Sequence, residues 1–296
     1  MCFIIVSLFI STLFLHVFGR DPALRIVGGT DVGENELPYV ARMLLRKSQY
    51  NSTGIFEQEE HVCTCAILKP TWTLTAAHCF VVLGLNITGN FTNEEGYLVK
   101  YKYQIRYRPF QIKSNRDSER DMTSNIVEWI QHPASNFRLR IRPILVSNDI
   151  GLMKTEEIRL PQYGRISAMD YRSLVGLEVT ATGYGLTNAG GVFGDAPSLG
   201  KPLQKLGVIV IQCSPRHTYV RPGVCIARRC GKFSVICPGD SGGPLVHSSG
   251  IIGVNSAGPI VCQLESFGNR FLLDMFIQIP TSPYIDWISD VINKDT

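Results

Sequence analysis

CPGDSGGP, running from Cys237 to Pro244, sets one acid and one hydroxyl among three glycines and two prolines. Glycine permits backbone geometries that a Cβ forbids and lets another segment lie close against the main chain. The stretch therefore reads as a shaped turn that presents Ser241, and its meaning depends on partners elsewhere. A hydroxyl is a poor nucleophile at neutral pH. It needs an imidazole to take its proton, and the imidazole needs a carboxylate to fix its tautomer and stabilise its charged form. Both lie upstream, in Thr75-Ala76-Ala77-His78-Cys79 and in Ser147-Asn148-Asp149-Ile150-Gly151-Leu152. Singly, His78 reads as a structural histidine, Asp149 as a loop cap and Ser241 as a turn residue. Their joint occurrence in the order His, Asp, Ser, inside these flanks, points to nucleophilic catalysis.

The 296 residues are 45% apolar, enough for a substantial core in one large all-β unit or two smaller ones. Met1 to Gly19 is almost wholly apolar, is followed by Arg20 and Asp21, and ends in Val17-Phe18-Gly19. It reads as a cleaved secretory signal, with a retained membrane anchor as the alternative. Export to an extracellular, oxidising compartment changes the meaning of cysteine: removing Cys2 with the signal leaves eight, an even number suited to bridges. Asn51-Ser52-Thr53, Asn86-Ile87-Thr88 and Asn90-Phe91-Thr92 are glycosylation acceptors, which agrees.

Val99 to Arg108 alternates apolar with polar for ten residues, the period-two signature of a strand with one buried face and its basic residues on the other. Further strands are expected at Cys65 to Leu68, Glu178 to Thr182, Leu206 to Ile211 and Gly250 to Val254, separated by Gly, Pro and Asn clusters that read as turns. One helix closes the chain: Ser282 can cap it, Pro283 suits its first turn, and Ile285, Ile288 and Ile292 share a face. There is no internal sequence repeat.

Four blocks, Arg25-Ile26-Val27-Gly28-Gly29, Ala76-Ala77-His78-Cys79, Asn148-Asp149-Ile150 and Gly239-Asp240-Ser241-Gly242-Gly243-Pro244, resemble those of trypsin/chymotrypsin-type serine proteases and span nearly the whole chain after the signal. The resemblance implies an all-β fold: two packed six-stranded antiparallel Greek-key β-barrels with a C-terminal α-helix and an active site in the cleft between the barrels. It implies a signal at 1–19, an activation propeptide at 20–25 and a catalytic domain at 26–296, with barrels at about 26–146 and 147–281. It implies that Ser241 attacks the scissile carbonyl, His78 shuttles the proton and Asp149 orients His78, while the N–H groups of Gly239 and Ser241 hold the oxyanion. Cleavage after Arg25 would free the α-amino group of Ile26 to pair with Asp240, so the precursor is expected to be nearly inactive.

The same resemblance implies bridges Cys63–Cys79, Cys213–Cys225 and Cys237–Cys262. A further family bridge is missing at both ends, where Val179 and His247 stand, and Cys65 and Cys230 are left over, to pair with each other or remain free. At the base of the specificity pocket, where an Asp selects Lys or Arg, the chain has Val235, followed by Ile236; the opposite wall is Ser256-Ala257-Gly258, with Ala257 in place of the usual tryptophan. An apolar or aromatic residue before the scissile bond follows, of chymotrypsin-like or elastase-like type. Asp274, aligned with a pocket-lining glycine, would restore a preference for basic side chains if its carboxylate points inward. The implied partners are protein or peptide substrates, a tryptic activating protease and protein inhibitors, with no nucleic acid, no stable membrane anchor and a monomeric chain. Catalysis of this kind needs no cofactor, and no metal cluster is evident.

Two alternatives remain open in the sequence. Ala257, the segment around Asp274, and Thr64-Cys65 where the family commonly has Gly-Gly suit a catalytically weak homologue that binds or regulates other proteins. Residues 100 to 142 hold ten Lys or Arg against four acids, a patch for sulfated glycans or the solvated faces of strands and loops.

Overall fold

The computed structural model describes residues 26, 28–52, 54–81, 86–108, 122–138, 145–185, 191–192, 202–215, 219–228, 236–258, 261–262 and 275–294. The expected signal and propeptide lie outside these residues, as do Arg25, Cys230, Val235 and Asp274. Among the described residues no helix is long and apolar enough to cross a membrane.

The first barrel is built from β2 (Val40–Asn51), β3 (Gly54–Lys69), β4 (Trp72–Thr75), β6 (Leu98–Tyr107), β7 (Met122–Gln131) and β10 (Gly151–Thr155), with β1 (Thr30–Asp31) and β5 (Thr88–Thr92) as outliers in the chain order. Around it the strands run β2-β3-β4-β10-β7-β6 and close through β2–β6, all antiparallel, while β5 extends the edge of β6. The second is built from β11 (Glu178–Gly183), β13 (Gln204–Ile211), β15 (Val224–Arg228), β16 (Pro244–His247), β17 (Gly250–Ala257) and β19 (Met275–Pro280). It closes through β13–β15 and takes β1 along β13, and the short strands β8 (Asn136–Arg138), β12 (Gly191–Val192) and β18 (Val261–Cys262) lie in small sheets outside both barrels. Taking each barrel's strands in chain order, the second repeats the connection pattern of the first, the Greek key expected.

Alternation explains which side chains fill the barrels. On β6, Val99, Tyr101, Tyr103, Ile105 and Tyr107 are buried while Lys100, Lys102 and Arg106 are not. In the second barrel Leu206, Val208 and Val210 join Val179, Ala181, Leu245, Ile252 and Phe276, and Ile26 enters the same core. The described basic side chains of β6 and its end have local partners: Arg106 pairs with Glu59, and Arg108 donates to the carbonyls of Glu36 (2.7 Å) and Leu37 (3.2 Å).

Two expectations are corrected. The division at 146/147 falls too early, because Gly151–Thr155 pairs with β4 and β7 and completes the first barrel; the crossover is the stretch 156–177. Ser282 does not cap the final helix. Residues Ser282–Tyr284 form a 3₁₀ turn, the α-helix α2 (Ile285–Asn293) follows a single helical turn α1 (His78–Val81), and Ser282 Oγ instead accepts from Tyr171 N (3.1 Å). The apolar face is as expected at Ile288 and Ile292, both buried. This end of the chain returns to the first barrel, where the rings of Tyr284 and Trp287 meet His132 edge-on at 5.0 and 5.1 Å.

Candidate active site

Asp149 is held from both barrels. Its approach strand, β9 (Leu145–Ser147), pairs in parallel with β14 (Val220–Arg221), and Asn148 N donates to Arg221 O (2.8 Å). Asn148 itself takes a left-handed φ of 50°, which Asn tolerates better than most residues, and its side chain accepts from Tyr284 Oη (2.9 Å). The carboxylate that emerges is 1% exposed. One oxygen accepts from His78 N (2.7 Å); the other meets His78 Nδ1 (2.7 Å) and accepts from Ser256 Oγ (2.6 Å). Burial pushes the Asp149 pKa up, but the neighbouring imidazole and these three donors outweigh it and hold the carboxyl below its ordinary range. His78 thus has its Nδ1 held on the Asp149 carboxylate, and Nε2 is the ring nitrogen that such a pairing directs away from the anion.

His78 opens α1, and Cys79 beside it is bridged to Cys63 on β3, with Cα atoms 6.3 Å apart. Thr75 Oγ1, just ahead, donates to Thr64 O (3.0 Å). The Ser241 segment packs on this same ground. Thr64 N donates to Ser241 O (2.8 Å), and a Cβ on Gly242 would lie 2.0 Å from Thr75 Oγ1 and 2.3 Å from Thr64 O. With its φ of +80° as well, Gly242 admits no side chain. The turn is anchored behind by Gly242 N to Asn255 O and Asn255 N to Gly243 O, both 2.8 Å. The structure thus brings the Ser241 turn against the strand and turn that carry His78, at the junction of the barrels.

Asp240 points the other way, into the second barrel, and is fully buried. Its two oxygens accept from Gly185 N (2.7 Å) and Cys237 N (2.8 Å). A Cβ on Gly185 would lie 2.6 Å from its carboxyl carbon, so only glycine allows this approach. Burial outweighs the two amide donors and pushes the Asp240 pKa up to about 7. Ile26, 1% exposed and at a φ of +35° that is strained for a β-branched residue, packs in the core that also holds Ile236 and Cys237.

The chain has a second described bridge, Cys213–Cys225 (Cα atoms 5.1 Å apart), and Cys237 is disulfide-bonded, its partner's side chain lying outside the described residues. Cys65 is free and buried, so the pairing with Cys230 is not made. Val179 is buried beside the β11–β16 ladder, whose Thr180–Val246 pairing leads on to His247. In the pocket region, a Cβ on Gly258 would meet Ile236 O at 3.3 Å and Phe276 at 3.4 Å, which sets the two expected walls face to face; Ser256 proves to serve Asp149 as well. Asn86 and Asn90 are exposed and Asn51 is half-buried.

Sequence reading missed His61, whose Nε2 lies 2.9 Å from Gly239 O, and Arg42, 2% exposed with its guanidinium 4.1 Å from the centre of the Tyr184 ring. Burial and the Arg42 charge push the His61 pKa down to about 3, so it is neutral. Neither carries a local motif; a basic residue in the apolar run Tyr39 to Leu45 was the available signal. Among the described residues, the cluster of metal-ligating types Cys63, His78 and Cys79 has its two sulfurs joined in the bridge.

A family model described as Trypsin matches residues 26–288. The chain belongs to the trypsin family. Among curated relatives, it is 24% identical to human granzyme M over 302 residues, covering 97% of each protein, and 26% identical to trypsin II-P29 of Gallus gallus over 290 residues, covering 90% of this chain and 89% of that one. The solved structure of mouse neuropsin, a serine protease expressed in the limbic system, superposes with a TM-score of 0.61 at 18% identity, over 90% of this chain and 99% of that one. The protease is a serine endopeptidase of the chymotrypsin fold, with proteins as its expected substrates.

Proposed function

We propose that the protein is a secreted endopeptidase that cleaves peptide bonds through an acyl-enzyme on Ser241. Ser241 Oγ attacks the scissile carbonyl carbon while His78 Nε2 takes the hydroxyl proton. The carbonyl oxygen, now anionic, is held by the N–H groups of Gly239 and Ser241, each commonly worth about 3 kcal/mol. As the intermediate collapses, His78 returns the proton to the departing amine. Water then repeats the sequence on the ester and frees Ser241. Asp149 stays ionised throughout and stabilises the imidazolium. The observation that carries this reading is the buried carboxylate of Asp149 bonded to both the backbone and the ring of His78, beside the turn of Ser241.

The chain is made as a precursor, and a tryptic protease cleaves it after Arg25. The reading rests on Asp240, a buried carboxyl with amide donors and no described cation, bonded to the backbone of Cys237 in the core that Ile26 enters. Val235 and Ile236 favour an apolar or aromatic residue before the scissile bond. Trypsin treatment, N-terminal sequencing and labelling with a small phosphonofluoridate test this: the new terminus is Ile26, and Ser241 is labelled only after cleavage. Cleavage at Arg25 without labelling would refute the catalytic assignment.

A further inference from the structure

Thr64 stands where the family commonly has glycine, and it is wholly buried between the barrels. Its backbone bonds, N to Ser241 O (2.8 Å) and O from Thr75 Oγ1 (3.0 Å), are open to any residue. Its hydroxyl does something glycine cannot. It donates to Gly239 O (2.9 Å) and accepts from Tyr184 N (3.1 Å), so one oxygen joins the turn before the nucleophile to the end of β11. The next residue after Tyr184 is Gly185, whose N–H holds Asp240 (2.7 Å). Gly239, at a φ of +93°, has no side chain to limit its rotation, and its carbonyl is fixed by the two donors Thr64 Oγ1 and His61 Nε2. Pinning that carbonyl sets the orientation of Gly239 and of the amides on either side of it.

We infer that the Thr64 hydroxyl is a positioning residue for the oxyanion-binding turn, a clamp that holds Gly239 and, through Tyr184 and Gly185, the Asp240 carboxylate in register. The inference rests on the proposed roles of Gly239 and Ser241. The Thr64 hydroxyl bonds to the backbone groups Gly239 O and Tyr184 N and not to His78 or Asp149, so its loss is expected to act on the transition-state geometry and to leave ground-state binding alone.

The test compares Thr64→Val, which keeps the shape and removes the hydroxyl, with Thr64→Ser, which keeps the hydroxyl, in the activated protein. Thr64→Val is expected to lower kcat roughly tenfold or more with KM unchanged within about twofold, and Thr64→Ser to restore most of the rate. Amide hydrogen exchange supplies a readout independent of activity: the Tyr184 and Gly185 amides lose protection in Thr64→Val and keep it in Thr64→Ser. A Thr64→Val protein with wild-type kcat and wild-type protection overturns the inference, as does a Thr64→Ser protein slowed as much as Thr64→Val. If Thr64→Val does not fold, Thr64→Gly is measured against the same criteria. A wild-type protein that labels poorly at Ser241 counts against the catalytic reading, while the exchange comparison still decides the clamp.

Discussion

Asp240 offers the sharpest test, because its substitution is expected to have opposite effects before and after cleavage at Arg25. In the precursor the folded carboxyl titrates at about 7 against an ordinary value of 3.8. Between those values the folded chain keeps a proton that the unfolded chain has released, so stability falls as pH rises. Full stability from this group is present below pH 3.8, and the loss is complete once the pH passes about 7, at about 4 kcal/mol. Asp240→Asn removes the charge but offers one acceptor oxygen where Gly185 N and Cys237 N need two, at a cost of about 1–3 kcal/mol. At pH 8 the precursor should gain about 1–3 kcal/mol from the substitution, and at pH 4 it should gain nothing or lose. The hydrogen-bond cost is common to both pH values, so the difference between them isolates the charge.

On the proposed activation the Ile26 ammonium would be the counterion in the cleaved protein, and Asp240→Asn would strand it, with an expected loss of about 3–5 kcal/mol. The assay is urea unfolding followed by tryptophan fluorescence, on an Arg25→Gln precursor and on cleaved protein carrying Ser241→Ala to prevent self-digestion. The same destabilisation in both forms, or a pH difference below about 1 kcal/mol in the precursor, would refute the view that Asp240 waits uncompensated for the new terminus.

The other perturbations are simpler. Ser241→Ala should abolish turnover with the melting temperature unchanged, whereas His78→Ala should abolish turnover and also lower the melting temperature, because it strands the buried Asp149 carboxylate. Asp149→Asn should lower kcat by about 10⁴-fold by favouring the wrong tautomer, the rates being read from steady-state kinetics and the stabilities from thermal unfolding. Gly242→Ala places a methyl against Thr75 Oγ1 and Thr64 O at a φ of +80° and should cost about 3 kcal/mol or more in chemical denaturation. Cys65, whose thiol pKa burial raises, should react with a thiol reagent only as fast as the chain unfolds; rapid labelling of the native protein would contradict its burial. A peptide library should return apolar or aromatic residues before the cleaved bond, and a strong preference for Lys or Arg would overturn that assignment and favour an inward Asp274.

What the sequence made legible was local. The strand at β6 was readable because its residue types alternate apolar with polar from Val99 to Tyr107; the burial follows that alternation except at Gln104, a polar residue that is buried and donates to Asn125 (2.8 Å). Of β3 only the buried end, Cys65 to Leu68, was readable. Its first half carries Glu57, Glu59 and Glu60, which pair across strands with Arg46, Arg106 and Lys47 and leave no apolar alternation. The turn of Ser241 was readable because its glycines answer local demands of backbone and contact. Its surroundings were not, since they come from Thr64 and His61, 175 and 178 residues from Gly239 in the chain. The repeated connection order of the two barrels left no trace in the residues either, because antiparallel closure requires alternation and turns but no particular side chains.

The same division explains the two aspartates. Asp149 and Asp240 are both almost fully shielded from water, and burial alone would raise the pKa of each. Asp149 has an imidazole, a backbone amide and a hydroxyl directed at it and stays below its ordinary range; Asp240 has two amides and rises to about 7. One carboxylate is therefore complete in the uncleaved chain and the other is not. The incomplete one adjoins Ser241 in sequence and shares, through Gly185, Tyr184 and Thr64, the bonds that orient Gly239. On the proposed activation, a cation supplied to Asp240 would change the protonation of a group bonded into the turn of Gly239, the proposed oxyanion site, while leaving His78 and Asp149 untouched, so cleavage is expected to alter the acceptance of the transition state before it alters the base.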